Sequence, residues 1–415
     1  MEPTLITSFI RSNYGSLRGP ARTLALVHFL DSVGAGIFMS GSAVYFVLVT
    51  GLPPAQVGLG LSVAGLAGFV SSVVMGTAAD RIGARQLLLI ALPLLGVTYA
   101  FYPMVDSAPA FFVLIGIVGA LEWGSAPLFH ALIAELVTEN DRVSARAALR
   151  SLFNVGFSIG ALAAAVLIGL GTTAMQALPL GNGLSFLLAG ALVLRLPRSE
   201  VAPSKKERVS RVRALRNKPF VGVIAASSLL ALHGSVIIVG VPLWIVTTDI
   251  LPNSLVPVIF VVNTILVVLF QVRFAKGSET VSGSVTAARK AGAISVVACL
   301  ALALGDVITP WVAGFVVLVA ILMLTFAEIW QSASALGLSF GLAPEAARGE
   351  YLGAFHLHVV LQATLGPAMV SYLVTHGGAY GWLTLCAVFA VGTLVIAPLA
   401  SRARGEDKET VQSLT

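Results

Sequence analysis

Long uninterrupted apolar runs dominate the pattern of this 415-residue chain. They fall at 23–49, 55–78, 86–104, 109–136, 145–170 and 174–196. After a polar stretch they resume at 219–247, 254–274, 286–305, 311–338, 351–375 and 380–400. A helix needs roughly 20 apolar residues to cross a hydrocarbon layer about 30 Å thick. The pattern therefore predicts twelve transmembrane helices. Breaks such as Gly51-Leu52-Pro53-Pro54 and Leu251-Pro252-Asn253 are rich in residues that interrupt helices and favour turns. Arg11, Arg18 and Arg22 precede the first run, as in a signal peptide. That run is too long and has no credible cleavage site, so it reads as a retained first helix.

Composition agrees. Only 11% of residues are charged, 57% are hydrophobic, and the mean hydropathy is +0.94. A soluble domain carries about 25% charged residues, so lipid is the solvent for most of this chain. Cys299 and Cys386, the only cysteines, sit in apolar runs, which leaves no disulfide framework or cysteine metal site. The histidines have no ligand spacing either, so no metal is expected. No phosphate-binding loop of the Gly-x-x-x-x-Gly-Lys-Ser/Thr type occurs, which excludes ATP-driven transport. No nucleophile-plus-base constellation recommends an enzyme, and no cofactor is implied.

Charge fixes the expected sidedness. With the N-terminus inside, all 25 Lys and Arg fall on the cytoplasmic side. They comprise Arg81 and Arg85 after the second span, then Arg142, Arg146 and Arg150 after the fourth. Arg273, Lys276, Arg289 and Lys290 follow the eighth, Arg348 the tenth, and Arg402, Arg404 and Lys408 close the chain. The remainder lie at the N-terminus and in 195–218. The opposite loops hold Asp106, Asp249 and Asp306 and no basic residue. The positive-inside rule then places both termini in the cytoplasm, as in a bacterial cytoplasmic (inner) membrane. Basic loops gain from an anionic leaflet. The basic run at 205–218 lacks aromatic interleaving, so no nucleic-acid partner is expected. The expected divisions are a cytoplasmic segment 1–21, a six-helix bundle 22–196, a linker 197–218, a second bundle 219–400 and a cytoplasmic tail 401–415.

The two bundles are related in sequence. A shift of 206 residues places Glu328 on Glu122, Leu342 on Leu136, Glu345 on Glu139, Arg348 on Arg142 and Gly366 on Gly160. Two six-helix halves related by a parallel repeat are the plan of the major facilitator transporters. The loop after the second span also resembles that family's signature, reading Gly76-Thr77-Ala78-Ala79-Asp80-Arg81-Ile82-Gly83-Ala84-Arg85. On this reading Gly76 lets its helix approach a neighbour and Gly83 permits a tight turn. Asp80 accepts from a helix N-terminus, while Arg81 and Arg85 hold the cytoplasmic side. The resemblance implies that the loop locks the outward-facing state. It also implies an all-α integral membrane fold of two bundles about a pseudo-two-fold axis. Length and short N-terminal segment look most like the twelve-helix drug:proton antiporters of multidrug efflux. Two of their features are missing. The fourth span has no arginine near Glu122, and the fifth reads Gly156-Phe157-Ser158-Ile159-Gly160 where a Gly-Pro pair is usual. A Gly366-Pro367 pair stands instead in the eleventh.

Ionisable residues inside a span are costly and mark function by default. Asp31, Glu122 and Glu328 are placed near mid-membrane by their distance from the cytoplasmic loops. The resemblance puts spans 1, 4, 7 and 10 around a central cavity, where the three acids could converge. No Lys or Arg is expected that deep, which favours protons and cationic or neutral amphiphiles over organic anions. Each acid has a structural alternative: Asp31 bonding to Ser32, Ser40 or Arg150, and the glutamates in polar helix contacts. Glu135 reads as a surface charge. Trp123 and Trp330 flank the glutamates and can stack on a flat or cationic substrate or simply pack. Trp311 and Trp382 read as interfacial anchors. His233 is a packing residue or a proton-coupling one. His356 and His358 enter the eleventh span near the cytoplasm, and His130 lies on the fourth. The leading expectation is a monomeric, proton-coupled antiporter exporting hydrophobic or cationic small molecules by alternating access. The alternatives are a lipid or lysolipid translocator, a nutrient importer, and a non-transporting receptor or scaffold.

Overall fold

The computed structural model describes residues 19–138, 141–198, 212–305 and 310–412. Glu139, Asp306, Arg11, Arg18 and most of the linker at 199–211 lie outside the described residues. Among the described residues, twelve helices are long and apolar enough to cross a membrane. They are α1 (Pro20–Met39), α2 (Pro54–Ile82), α3 (Ala84–Met104), α4 (Ala108–Leu136), α5 (Arg142–Gly169) and α6 (Thr172–Val193). The second set is α7 (Lys218–Thr248), α8 (Asn253–Ala275), α9 (Val281–Ala303), α10 (Pro310–Gly341), α11 (Arg348–Gly377) and α12 (Ala379–Gln412).

Three boundaries differ from expectation. α9 begins at Val281, five residues early, because Thr280 caps it: the Thr280 side chain accepts from the Gly283 N–H at 3.1 Å. Arg289 and Lys290 therefore sit about two turns inside the helix, not at its start. Arg142, Arg146 and Arg150 likewise belong to α5. α12 runs on to Gln412 through the expected tail. Its continuation is rich in Arg, Glu and Lys, which favour helix without needing an apolar face.

The chain forms two compact units. One comprises 1–56, 63–205 and 253–264, and the other 57–62, 206–252 and 265–415. The main division falls at 205/206, inside the basic linker. In the first unit α1 packs on α5 and α6, and α3 packs on α6 and α4. In the second, α7 packs on α11 and α12, and α9 packs on α12 and α10. Every pairing recurs six helices later, so the repeat is one of packing as well as sequence. Gly160 and Gly366 show why. A Cβ at Gly160 would strike the Val33 carbonyl of α1, and one at Gly366 would strike Ser235 of α7. Small residues at such crossings let membrane helices touch by their backbones.

The turn between α2 and α3 rests on Gly83, at φ 96° and ψ 139°, a region open to glycine and strained for other residues. The expected close approach of Gly76 is not found. A Cβ there would meet only Pro127 Cβ at 3.9 Å, which is ordinary contact. The tight crossing lies earlier on α2: a Cβ at Gly68 would stand 2.7 Å from Trp123 Cβ, and one at Gly119 of α4 would strike the Ala64 carbonyl. α7 carries a π-turn at Val236–Gly240, just after His233. Such turns interrupt the regular helix at one point and often accompany functional sites.

Candidate transport site

The first unit encloses a cavity of about 550 Å³ lined from α1, α3, α4, α5 and α6. Its sequence origin is simple. On α1, Leu24, His28, Asp31, Ala35 and Met39 recur at three- and four-residue intervals, so one face of the helix points inward. On α4 the same spacing brings Glu122, Ser125, Phe129 and Ile133 to the cavity, with Trp123 and His130 beside them. Most of the wall is apolar or aromatic. His28 lies between Phe129 and Phe153, 5.8 Å from each ring.

Asp31 and Glu122 are brought together here, near enough for each to feel the other's charge. Glu122 also accepts a hydrogen bond of 3.0 Å from the Tyr99 hydroxyl on α3. Tyr99 is itself wedged in an aromatic cluster, 5.1 Å from Phe38, 5.5 Å from Tyr102 and 5.6 Å from Phe186. The carboxyl of Glu122 is thus held by a side chain that cannot easily move. The hydroxyls of Ser32 and Ser40 donate to backbone carbonyls of α1 itself, at 2.7 and 2.6 Å. Neither is engaged by Asp31.

Basic groups reach the same cavity. Arg146 and Arg150 line it from the first turns of α5, so the cavity reaches basic groups at the start of that helix. The reason is the start of α5 at Arg142, which carries both side chains along the helix past the loop. Arg150 lies 6.0 Å from the ring centre of Phe153, and both arginines act electrostatically on the nearby histidines.

Glu328 belongs to the second unit, where it acts electrostatically on His233. His233 is buried, and its Nδ1 lies 2.8 Å from the Leu230 carbonyl. A carbonyl can only accept, so Nδ1 carries a proton and Nε2 is turned to other partners. Trp330 does not stand alone beside Glu328. It packs against Phe274 at 5.6 Å and Phe326 at 6.3 Å, and Lys290 of α9 sits 5.8 Å from its ring centre. That fills its face with a cation from the protein itself. Trp123, by contrast, is 41% exposed and lines the cavity. Trp382 is fully buried and meets Trp244 edge-on at 6.1 Å. It is a core residue, not an interfacial anchor. His358 is buried and bonds to the Phe355 carbonyl at 2.7 Å.

In the signature loop, Asp80 and Arg81 are exposed. Arg85 donates to the Leu194 carbonyl at 3.0 Å, tying the start of α3 to the end of α6. Pro367 lies inside α11, and the next residue, Ala368, donates its N–H to the Ser62 hydroxyl at 3.0 Å.

Sequence reasoning passed over His28, Tyr99 and the reach of Arg146, while Arg150 had been weighed only as a partner for Asp31. His28 was legible, being three residues before Asp31 and so on the same helical face. Tyr99 was not, since nothing in the chain says which helix lies beside Glu122.

Twelve apolar helices in two repeated units, with ionisable groups gathered around an internal cavity, are the architecture of a polytopic membrane protein. The description of the Major Facilitator Superfamily matches residues 24–367. The chain belongs to that superfamily. Solved structures of the same fold include a point mutant of the nucleoside transporter NupG. It is 18% identical, with a TM-score of 0.75 over 93% of this chain and 100% of that one. A bacterial homologue of the iron transporter ferroportin is 18% identical, with a TM-score of 0.73 over 92% and 98%. A POT family transporter in complex with 5-aminolevulinic acid is 15% identical, with a TM-score of 0.71 over 92% and 96%. Among curated proteins no sequence relative is found.

Proposed function

We propose that this chain is a secondary active transporter that exchanges protons for small amphiphilic molecules. It would export hydrophobic or cationic compounds across a bacterial cytoplasmic membrane, as a monomer with both termini inside. The supporting observation is the placing of Asp31 and Glu122 together in an apolar, aromatic-lined cavity. Two negative charges close together in low dielectric repel strongly. A proton or a substrate cation relieves that repulsion, so the arrival of one displaces the other. Trp123, Phe129 and Phe153 offer ring faces to an apolar or cationic body. Alternating access would present this site to each side of the membrane in turn, with the Asp80–Arg81 loop as a gate. Glu328 and His233 form a second acid–base pair that could hold a proton in the other unit.

The test is a proteoliposome assay with an imposed pH gradient and a panel of lipophilic cations. Substrate movement should be accompanied by counterflow of protons. Asp31→Asn and Glu122→Gln should each abolish that coupling. If both variants still exchange protons for substrate, the assignment of these carboxyls is wrong.

A further inference from the structure

The cavity is chemically two-ended. Asp31 and Glu122 define one end. His130 follows Glu122 by eight residues along α4, about 12 Å of helix, and lines the same space. Around it stand His28, Arg146 and Arg150, all lining the cavity and all acting electrostatically within this group. Among the described residues, neither guanidinium forms an ion pair. Two permanent cations beside two imidazoles attract an anion, and Arg is built to bind a carboxylate or phosphate through two parallel hydrogen bonds. Among the described residues lining the cavity, no carboxylate stands at that end.

We infer that the transported molecule is amphoteric: a cationic nitrogen held at Asp31 and Glu122, and an acidic group held by Arg146 and Arg150. The inference rests on the proposed role of the two carboxyls and adds the substrate class. The spacing of the two ends is about one to two helical turns, three residues from Asp31 to His28 on α1 and eight from Glu122 to His130 on α4. It suits a molecule of dipeptide size, or the amine and phosphate of a lysophospholipid headgroup. The apolar wall between the ends takes the hydrophobic body.

Binding to the purified full chain in nanodiscs tests this with molecules that differ only in charge. Leucyl-phenylalanine carries both charges, its C-terminal amide only the cation, and its N-acetyl form only the anion. Lysophosphatidylethanolamine and lysophosphatidylglycerol compare both charges with the anion alone for a lipid source. In at least one series the doubly charged member should bind about tenfold or more tightly than its singly charged relatives. Arg146→Gln with Arg150→Gln should erase that preference while leaving the amide unaffected, and Asp31→Asn should weaken the amide and spare the N-acetyl form. The series that responds identifies the source. Equal binding of doubly and singly charged members in both series overturns the inference, as does a preference for the dipeptide over its amide that survives loss of both arginines. So does silence from both series while lipophilic cations still drive proton flux, an outcome that leaves the proposed function standing. If lipophilic cations also fail to move protons, that function falls separately.

Discussion

Glu122 is fixed by one hydroxyl, and that hydroxyl is fixed by a ring packed among other rings. Tyr99→Phe removes the bond and keeps the packing. It should cost only about 0.5–1.5 kcal/mol of stability, within reach of a thermal-melt comparison, while releasing Glu122 to turn in the cavity. The expected result is a protein that folds and binds but couples protons to substrate less tightly. Lys290→Met tests a different residue. If Lys290 holds Trp330 in place, its loss should expose that ring to quenchers without altering binding in the first unit's cavity. At this scale the sequence was informative about which residues are unusual and silent about their neighbours. Asp31, Glu122 and Glu328 stand out because acids are rare in apolar runs. Whether an acid meets a tyrosine, a histidine or another acid depends on helix pairing, which no local pattern encodes.

Helix ends and helix crossings obey different rules, and the two were unequally legible. The turn at Gly83 was readable, because Gly-x-x-x-Asp-Arg-x-Gly-x-Arg places a glycine where the chain reverses. Gly83→Ala should cost about 1–3 kcal/mol, since the backbone there lies where side chains are strained; the thermal midpoint would report it. Gly76→Ala should be nearly silent, because the added methyl meets nothing closer than 3.9 Å. The start of α9 was readable in principle from Thr280, a capping residue, but apolarity alone placed it later. Crossings were only half visible. Gly160 and Gly366 could be matched by the repeat, yet their purpose emerged from the carbonyl and the serine they face. Gly160→Leu should separate α1 from α5, widen the cavity wall and lower the yield of folded protein in the membrane.

For the molecule as a whole, the twelve spans and their grouping followed from apolarity and from one long polar interruption. Both are properties of composition over tens of residues and survive errors at any single position. The cavity did not follow in the same way, because its basic end comes from arginines that charge counting assigns to a loop. Orientation can be checked directly. Alkaline phosphatase fused after Asp106 should be active, and the same enzyme fused after Arg402 should not; the reverse pattern would invert the whole topology.

Both thiols of this chain are shut away. Cys299 and Cys386 are buried in the second unit, with the Cys386 Sγ 3.5 Å from the Val296 carbonyl. A thiol in such surroundings meets water-borne reagents poorly. The natural sequence is thus close to a blank background for chemical labelling. A single cysteine introduced at Ala126 or Met39, both on the cavity wall, would be almost the only reactive sulfur present. Its rate of modification from either side of a sealed vesicle would then give a direct clock for the opening and closing of the site, with no need to strip the protein of its own residues first.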